Sequence, residues 1–224
     1  NIFSNNYPEL SGAVVTKSTT SSSSLYNTEG WFGRVNYSYA NKYFGEMSYR
    51  RDATSVFHPD HRWGNFWSLG GAWLISKEEW FDAPWVDELK IKASYGSQGN
   101  DGIGSYLYVN TFTITPSNGA VALLKRTKGN ENISWEKQAM FNAGVDFSLF
   151  HQRLSGSIVY FDRSTKDMLN WFSLPLTYGW SGYFDNVGDM SNRGIEIELY
   201  GDIIRTKDFK WSANFNLTSY KNKV

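Results

Sequence analysis

The chain has 224 residues, with 22 basic and 22 acidic side chains, no cysteine, and 17% aromatics that include ten tryptophans. Balanced charge leaves no basic excess to neutralise phosphates, which excludes a dedicated nucleic-acid binder. The absence of cysteine excludes a disulfide scaffold, a thiol nucleophile and a thiolate metal site. The longest apolar run, residues 120–124, is far short of the ~18–20 residues a membrane helix needs. A mean hydropathy of −0.47 still leaves room for a membrane β-barrel, whose apolar surface occupies only every second residue.

The chain opens on a leading segment with a Ser/Thr tract at 18–24, solvated by composition. It has no initiator Met and no signal-peptide pattern in its first residues. It stops in polar Lys221-Asn222-Lys223-Val224 without a turn or cap. Together these features suggest a piece of something longer, a single segment over 1–224.

Period-2 alternation predicts strands at 30–39, 42–51, 63–75, 89–97, 138–149, 153–164, 193–203 and 208–220. The cleanest is 138–149, where Ala139, Phe141, Ala143, Val145, Phe147 and Leu149 alternate with small or polar residues. One short helix is expected within 77–88, with Ser76 as its cap and Glu79 three residues on. The predicted class is all-β, an antiparallel up-and-down meander.

Connection lengths carry the next inference. After the leading segment they run 2, 11, 13, 40, 3, 28 and 4 residues, with 76–88 a stretched member of the short set. Consecutive antiparallel strands place alternate connections at opposite ends of the sheet. All long loops therefore fall at one end and the brief turns at the other, as in outer-membrane barrels. A sandwich has no physical reason to keep that asymmetry.

Charge follows the same division. Of 17 charged residues in the eight strands, 14 lie on the faces that alternate with the apolar sets. The exceptions, Arg51, Asp162 and Arg193, all sit at strand ends next to long loops. A basic side chain facing lipid costs roughly 2–4 kcal/mol at mid-depth and about 0–1 near the interface. Tyr37, Tyr39, Tyr43, Trp73, Phe147 and Trp211 lie on apolar faces near the turns, as in a membrane-girdle of amphipathic rings. Ordinary sandwich-core aromatics remain the alternative explanation.

Chemistry-bearing groups are few. His58-Pro59-Asp60-His61 offers potential metal ligands, but proline forces a geometry unsuited to chelation, so it reads as loop structure and no metal site is expected. Gly99-Asn100-Asp101-Gly102-Ile103-Gly104 has no following helix to present to phosphate. Glu196 and Glu198 stand roughly 7 Å apart on one strand face, a separation a glycosidase could use. Alternation with Ile195, Ile197 and Leu199 makes a solvated lumen face the better account, and no enzyme or cofactor is expected. The strongest binding candidate is the 165–192 loop, with Trp171, Phe172, Tyr178, Trp180, Tyr183 and Phe184 beside Asp185, Asn186 and Asp189. Rings there could stack on sugars or peptide side chains, or pack against other loops or a partner.

Several stretches occur together in order: Lys42-Tyr43-Phe44, Arg50-Arg51-Asp52-Ala53-Thr54-Ser55-Val56-Phe57, Trp63-Gly64-Asn65-Phe66-Trp67-Ser68 and Trp73-Leu74-Ile75-Ser76-Lys77-Glu78-Glu79-Trp80-Phe81. They continue as Leu89-Lys90, Ser94-Tyr95-Gly96-Ser97-Gln98-Gly99-Asn100, Asn132-Ile133-Ser134-Trp135-Glu136, Gly144-Val145-Asp146-Phe147 and Asn192-Arg193-Gly194-Ile195-Glu196. In these, over about residues 30–224, the chain resembles the SusC/RagA family of TonB-dependent outer-membrane transporters. Ala53 stands where that family usually has Gly, and no Pro precedes Ile133. Nothing in the sequence looks like the plug, the TonB box or a closing strand ending in an aromatic.

The resemblance implies a barrel of about 22 strands in the outer membrane of a Gram-negative bacterium, with these residues forming wall and extracellular loops. It further implies import of glycans or peptides beneath a SusD-like lipoprotein, with energy relayed through TonB to a region outside these residues. Eight strands of so wide a barrel cannot close, so the two edge strands are expected to be unpaired. A soluble Trp-rich carbohydrate-binding β-sandwich and a passive porin are the alternatives.

Overall fold

The computed structural model describes residues 23–117 and 120–224. Most of the Ser/Thr tract at 18–24 lies outside the described residues. Eight long antiparallel strands form one sheet in the order β1-β2-β3-β4-β7-β8-β11-β12. They are β1 (Thr28–Tyr39), β2 (Tyr43–Thr54), β3 (Trp63–Leu74), β4 (Val86–Asn100), β7 (Glu136–Leu149), β8 (Leu154–Lys166), β11 (Met190–Arg205) and β12 (Lys210–Lys223). Each corresponds to one strand expected from alternation, usually lengthened by a few residues toward the loops. Every strand pairs with its predecessor in this order, so the sheet is a meander, and β1 and β12 are its open edges.

The connections divide as their lengths predict. Residues 40–42, 75–85, 150–153 and 206–209 turn at one end, whereas 55–62, 101–135 and 167–189 emerge at the other. The first turn is tight because Ala40 and Asn41 both take left-handed backbone (φ 51° and 52°) and Lys42 N–H donates to Tyr39 O at 3.0 Å. Positive φ at both central positions matches the right-handed twist of the strands it joins.

The helix expected in 77–88 does not form. Residues Ile75–Lys77 make a single 3₁₀ turn without a side-chain cap, and β4 begins at Val86. Tertiary contacts override the local signal. The Glu78 carboxylate, placed in the first turn of that expected helix, is instead held by side chains of β2 and β3.

The register sorts side chains into two faces. Rows such as Val35–Met47–Leu69–Tyr95–Phe141 and Val145–Ile158–Ile197–Leu217 run across the strands on one face. No second layer covers it: Met47 and Leu69 are each 57% exposed, Ile158 44% and Leu217 47%. Oil left bare over a whole sheet face is the condition of a wall standing in hydrocarbon, since burial of such surface is worth about 25 cal/mol per Å². A sandwich would have buried it.

The three charges expected on that face have partners where they lie, and the lengthened strands add Glu29, Lys137, Lys166, Lys221 and Lys223 at its loop end. Arg51 sits over the Trp63 ring at 4.8 Å, and Arg193 Nε pairs with Asp162 across the β8–β11 ladder at 2.9 Å. At the turn end, rings replace charges. Tyr39, Tyr43 and Trp73 stack in sequence, and Trp80 and Phe81 continue the cluster into the turn. Tyr37 and Trp211 are exposed, and Phe147 lies half-buried on the same face.

The opposite face is polar. Arg34 pairs with Glu46 at 2.6 Å, Lys90 with Asp146 at 2.9 Å, and Ser48 meets Ser68 at 2.7 Å. Small residues, among them Gly70, Ala72, Ser94, Gly96 and Gly144, floor a concavity of about 800 Å³ there.

An arginine in the middle of the bare face should be costly and one at its loop end should not. In full-length protein folded in bilayers, Ile197→Arg is expected to lower unfolding free energy by roughly 2–4 kcal/mol and Ser191→Arg by about 0–1. Denaturant titration read by heat-modifiable gel migration checks this.

Candidate functional site

The three long loops do not spread apart. They share a small core made by Val56 and Phe57 from 55–62, Phe66 from β3, and Ile133 and Trp135 at the entry to β7. Ile103, Leu107, Tyr108, Leu169 and Phe184 pack around it. Phe57 and Ile133 are completely buried. Phe66 belongs to the polar, concave face of the sheet, so this core sits inside the mouth of the wall.

Glycine makes room for it. A Cβ on Gly64 would lie 2.4 Å from Phe66 Cζ, and one on Gly99 would lie 2.2 Å from the same atom and 2.7 Å from Trp135 Cε3. The two rings meet edge to face, 5.3 Å between centroids. Trp135 Nε1–H donates to Arg62 O at 3.0 Å, which satisfies the one polar atom of a buried indole.

Asn132-Ile133-Ser134-Trp135-Glu136 is the hub that joins the loops. Ser134 N–H donates to Asn186 Oδ1 at 2.8 Å, and Asn186 Nδ2 donates back to Ser134 O at 3.0 Å and to Asp167 O at 2.8 Å. Glu136 Oε2 accepts Leu169 N–H at 3.1 Å. Asn130 Nδ2 donates to Phe184 O and to Asp185 Oδ1, both at 2.9 Å. Within 55–62, Thr54 N–H donates to Arg62 O, and Ser55 exchanges bonds with Asn27.

Four short strands within these loops form a second sheet in the order β5-β6-β10-β9. They are β5 (Thr111–Ser117), β6 (Ala120–Thr127), β9 (Leu169–Ser173) and β10 (Gly182–Asn186). The β5–β6 and β9–β10 hairpins are joined by a parallel bridge between Gly182 and Thr127. Sequence reading missed this sheet. Its signal was present in Thr111-Phe112-Thr113-Ile114-Thr115, a β-branched alternation, but short runs inside long loops carry weak periodicity.

The residues singled out in 165–192 divide into two groups. Asp185 and Asn186 are consumed in tying loops together, as above. Trp171 lies edge-on to Phe184 at 5.1 Å, and Phe172 stacks on Tyr183 at 5.7 Å. Trp180 stands apart from that hairpin, against Phe112 at 5.6 Å and under Lys125 at 5.2 Å. Tyr178 is the most exposed ring of the set at 67%. Packing among loops thus accounts for most of the set, half-burying Trp180, and leaves Tyr178 and, at 41% exposure, Trp171 at the outer surface.

His58-Pro59-Asp60-His61 closes a turn: His61 N–H donates to His58 O at 2.8 Å, and the His58 ring meets Tyr108 edge-on. Glu196 stands opposite Val159 and Thr218, and Glu198 opposite Ser157 and Asn216, on the concave face. At the turn end, Glu78 accepts from Tyr43 Oη at 2.6 Å, Trp73 Nε1 at 2.9 Å and Lys42 Nζ at 3.1 Å. Those donors, the tyrosine first, pull its carboxyl down to about 2.

A bare apolar belt outside, a polar concavity inside, turns at one end and a loop assembly across the other define the wall of a transmembrane barrel. The family model described as TonB dependent receptor-like, beta-barrel, matches residues 1–223, and the chain belongs to that family. The TonB-dependent receptor SusC of Bacteroides thetaiotaomicron is 33% identical over 204 residues, 87% of this chain and 20% of the relative. The TonB-dependent receptor P39 of Formosa agariphila is 34% identical over 198 residues, 86% of this chain and 19% of the relative. Among solved structures, the RagAB peptide transporter matches with a TM-score of 0.83 and 33% identity, over 88% of this chain and 22% of that one. The siderophore receptor PirA from Pseudomonas aeruginosa, at 16% identity and a TM-score of 0.57, shares the fold alone. The chain spans about a fifth of the length of these SusC and RagAB relatives. Its family places the belt in the outer membrane of a Gram-negative bacterium.

Two outcomes test this geometry. Gly99→Val should expel Phe66 and Trp135 from their site and open the three loops to protease, while Gly33→Ala, with open space around its Cβ, should not; limited proteolysis of the folded receptor compares them. The depressed carboxyl of Glu78 means its contribution is complete above pH ~4.5 and fades as pH falls toward about 2. Tryptophan fluorescence should therefore shift over that window in the wild type, and the Glu78→Gln variant should lack the shift.

Proposed function

We propose that the whole protein is an active outer-membrane nutrient importer of the SusC type. Residues 1–224 then form one segment of its barrel wall with the attached extracellular loops. It takes up glycans, oligosaccharides or peptides, works with a SusD-like surface lipoprotein, and is energised through TonB at regions outside these residues. The observation that carries this reading is the combination of an uncovered apolar face with a mouth spanned by a self-packed loop assembly. The uncovered face speaks against a soluble carbohydrate-binding sandwich, and family membership speaks against a passive porin. No chemical step is proposed for the chain.

Trp171 and Tyr178 are the proposed contacts for substrate or lipoprotein, because they remain exposed after loop packing has used Phe172, Trp180, Tyr183, Asp185 and Asn186. Stacking on a flat ring suits both sugars and peptide side chains, and the RagAB neighbour is described as a peptide transporter. Tyr37, Tyr39, Tyr43, Trp73, Phe147 and Trp211 form the proposed girdle at the periplasmic interface, where amphipathic rings are favoured.

Uptake of labelled oligosaccharides and peptides by cells carrying the full-length receptor tests both levels. Collapse of the proton gradient should abolish import; persistence would mean passive diffusion. The Trp171→Ala/Tyr178→Ala double variant should import several-fold less at equal folded abundance, and unchanged import and lipoprotein association would remove these rings from the site.

A further inference from the structure

Cations of the wall and cations of the loops have different surroundings. On the concave face Arg34, Arg50, Lys90 and Lys92 each have a carboxylate partner. In the loop assembly, the end of β6 carries Lys125 and Arg126, and Lys128 follows directly after the strand. All three are exposed and make no ion pair among the described residues. Carboxylates of the same loops are engaged elsewhere. Asp101 accepts from Tyr26 Oη at 3.1 Å, Asp185 accepts from Asn130 Nδ2 at 2.9 Å, and Asp167 lies 3.6 Å from Lys137.

Rings take the place of carboxylates around this end of β6. Lys125 Nζ lies over the Trp180 ring at 5.2 Å, and Lys128 Nζ lies over Tyr183 at 5.8 Å. Both rings belong to a segment that the backbone ties to β6: Ser181 N–H donates to Arg126 O at 3.2 Å, and Lys128 N–H donates to Gly182 O at 2.9 Å. That segment also brings the two exposed rings to the cations. Tyr178 precedes Gly179, where a Cβ would lie 3.8 Å from Lys125 Nζ. Trp171 covers Gly182 so closely that a Cβ there would lie 2.4 Å from its Cζ2. Cations and aromatic faces thus share one patch, with Tyr178 near Lys125 and Trp171 near the Lys128 backbone.

We propose that this patch is a subsite for an anionic oligosaccharide, one that carries carboxylate or sulfate groups along its chain. The exposed rings offer flat apolar faces to sugar rings, and the three cations supply charge-assisted hydrogen bonds to the anionic groups. Ammonium groups already resting on aromatic faces are partly ordered before a ligand arrives, which lowers the cost of binding. A peptide bound through its main chain needs a free strand edge. None is open beside these cations, because β6 is bonded there to Ser181 and Gly182 on one side and Thr127 pairs with Thr111 on the other. The inference rests on the importer reading of the loops and narrows its substrate class to anionic glycans.

Isothermal titration calorimetry on the full-length receptor in detergent tests it with five probes. These are an oligogalacturonate, its methyl ester, a sulfated galactan oligosaccharide, its desulfated form and a polyglutamate peptide of matching charge. At least one anionic glycan should bind, and its uncharged counterpart should bind weaker by roughly tenfold or more. The variant Lys125→Gln/Arg126→Gln/Lys128→Gln should weaken binding of that glycan by a similar factor. The variant Lys77→Gln/Arg153→Gln/Lys207→Gln, which removes three exposed cations at the turn end, should bind it as the wild type does. Equal binding of charged and uncharged forms, binding of neither anionic glycan, or equal losses in both triple variants would overturn the proposal. Polyglutamate bound as tightly would overturn it in favour of acidic peptides. Energised import of neutral oligosaccharides or peptides alone would overturn this substrate class and leave the importer standing, whereas no energised import of any solute would sink the importer reading itself. Heat-modifiable migration confirms folding, and a triple variant that does not fold is replaced by the single Arg126→Gln, held to the same direction of effect.

Discussion

One constraint organises the chain: in a β-strand successive side chains point to opposite sides, so a wall between hydrocarbon and water must alternate in chemistry residue by residue. The other features of the wall follow from holding that alternation in register over eight strands. A slip of one residue between neighbours would move Lys92, Asp146 and Glu198 into lipid and Ile91, Val145 and Leu199 into the lumen. The close ladder from Tyr43↔Trp73 through Ile197↔Leu217 therefore records a strong energetic preference. The places where it relaxes are those where a charge can reach water or a partner, as Arg193 does with Asp162.

The loop end obeys a different rule. There the backbone leaves the sheet, and no lipid imposes a period. Order comes instead from a compact apolar core and from amide groups that answer one another, such as Asn186 with Ser134 and Asn130 with Asp185. The core stands on the wall through Phe66, yet it is built mainly from residues distant in sequence. A mouth assembled in this way can hold its own shape, and the rings it leaves outside, Trp171 and Tyr178, are presented from a fixed base. Fixed aromatic faces recognise ligands at lower entropic cost than rings on a mobile loop.

Much of the wall was legible because each strand carries its own evidence. Ala139 through Leu149 reads as a strand without reference to any neighbour, and connection lengths then give the sidedness of loops and turns. The expected helix at 77–88 failed for the converse reason. Its local signals were sound, but Glu78 finds three donors from Lys42, Tyr43 and Trp73, two of them on separate strands, and no window of sequence contains that competition. The loop candidates were legible as residue types only. Nothing local distinguishes Asn186, which ties loops together, from Tyr178, which does not.

The sequence by itself determined the all-β class, the two faces of the wall, the end on which the long loops lie and the family resemblance. All of these are encoded in short-range order, where the period and the composition of a few residues suffice. Only the tertiary structure decided that the loops condense into a second sheet over a shared core, that Gly64 and Gly99 exist to admit Phe66 and Trp135, and which aromatics stay at the surface. Those outcomes depend on contacts between segments far apart in the chain, whose geometry exists only after the strands have set the distance between them.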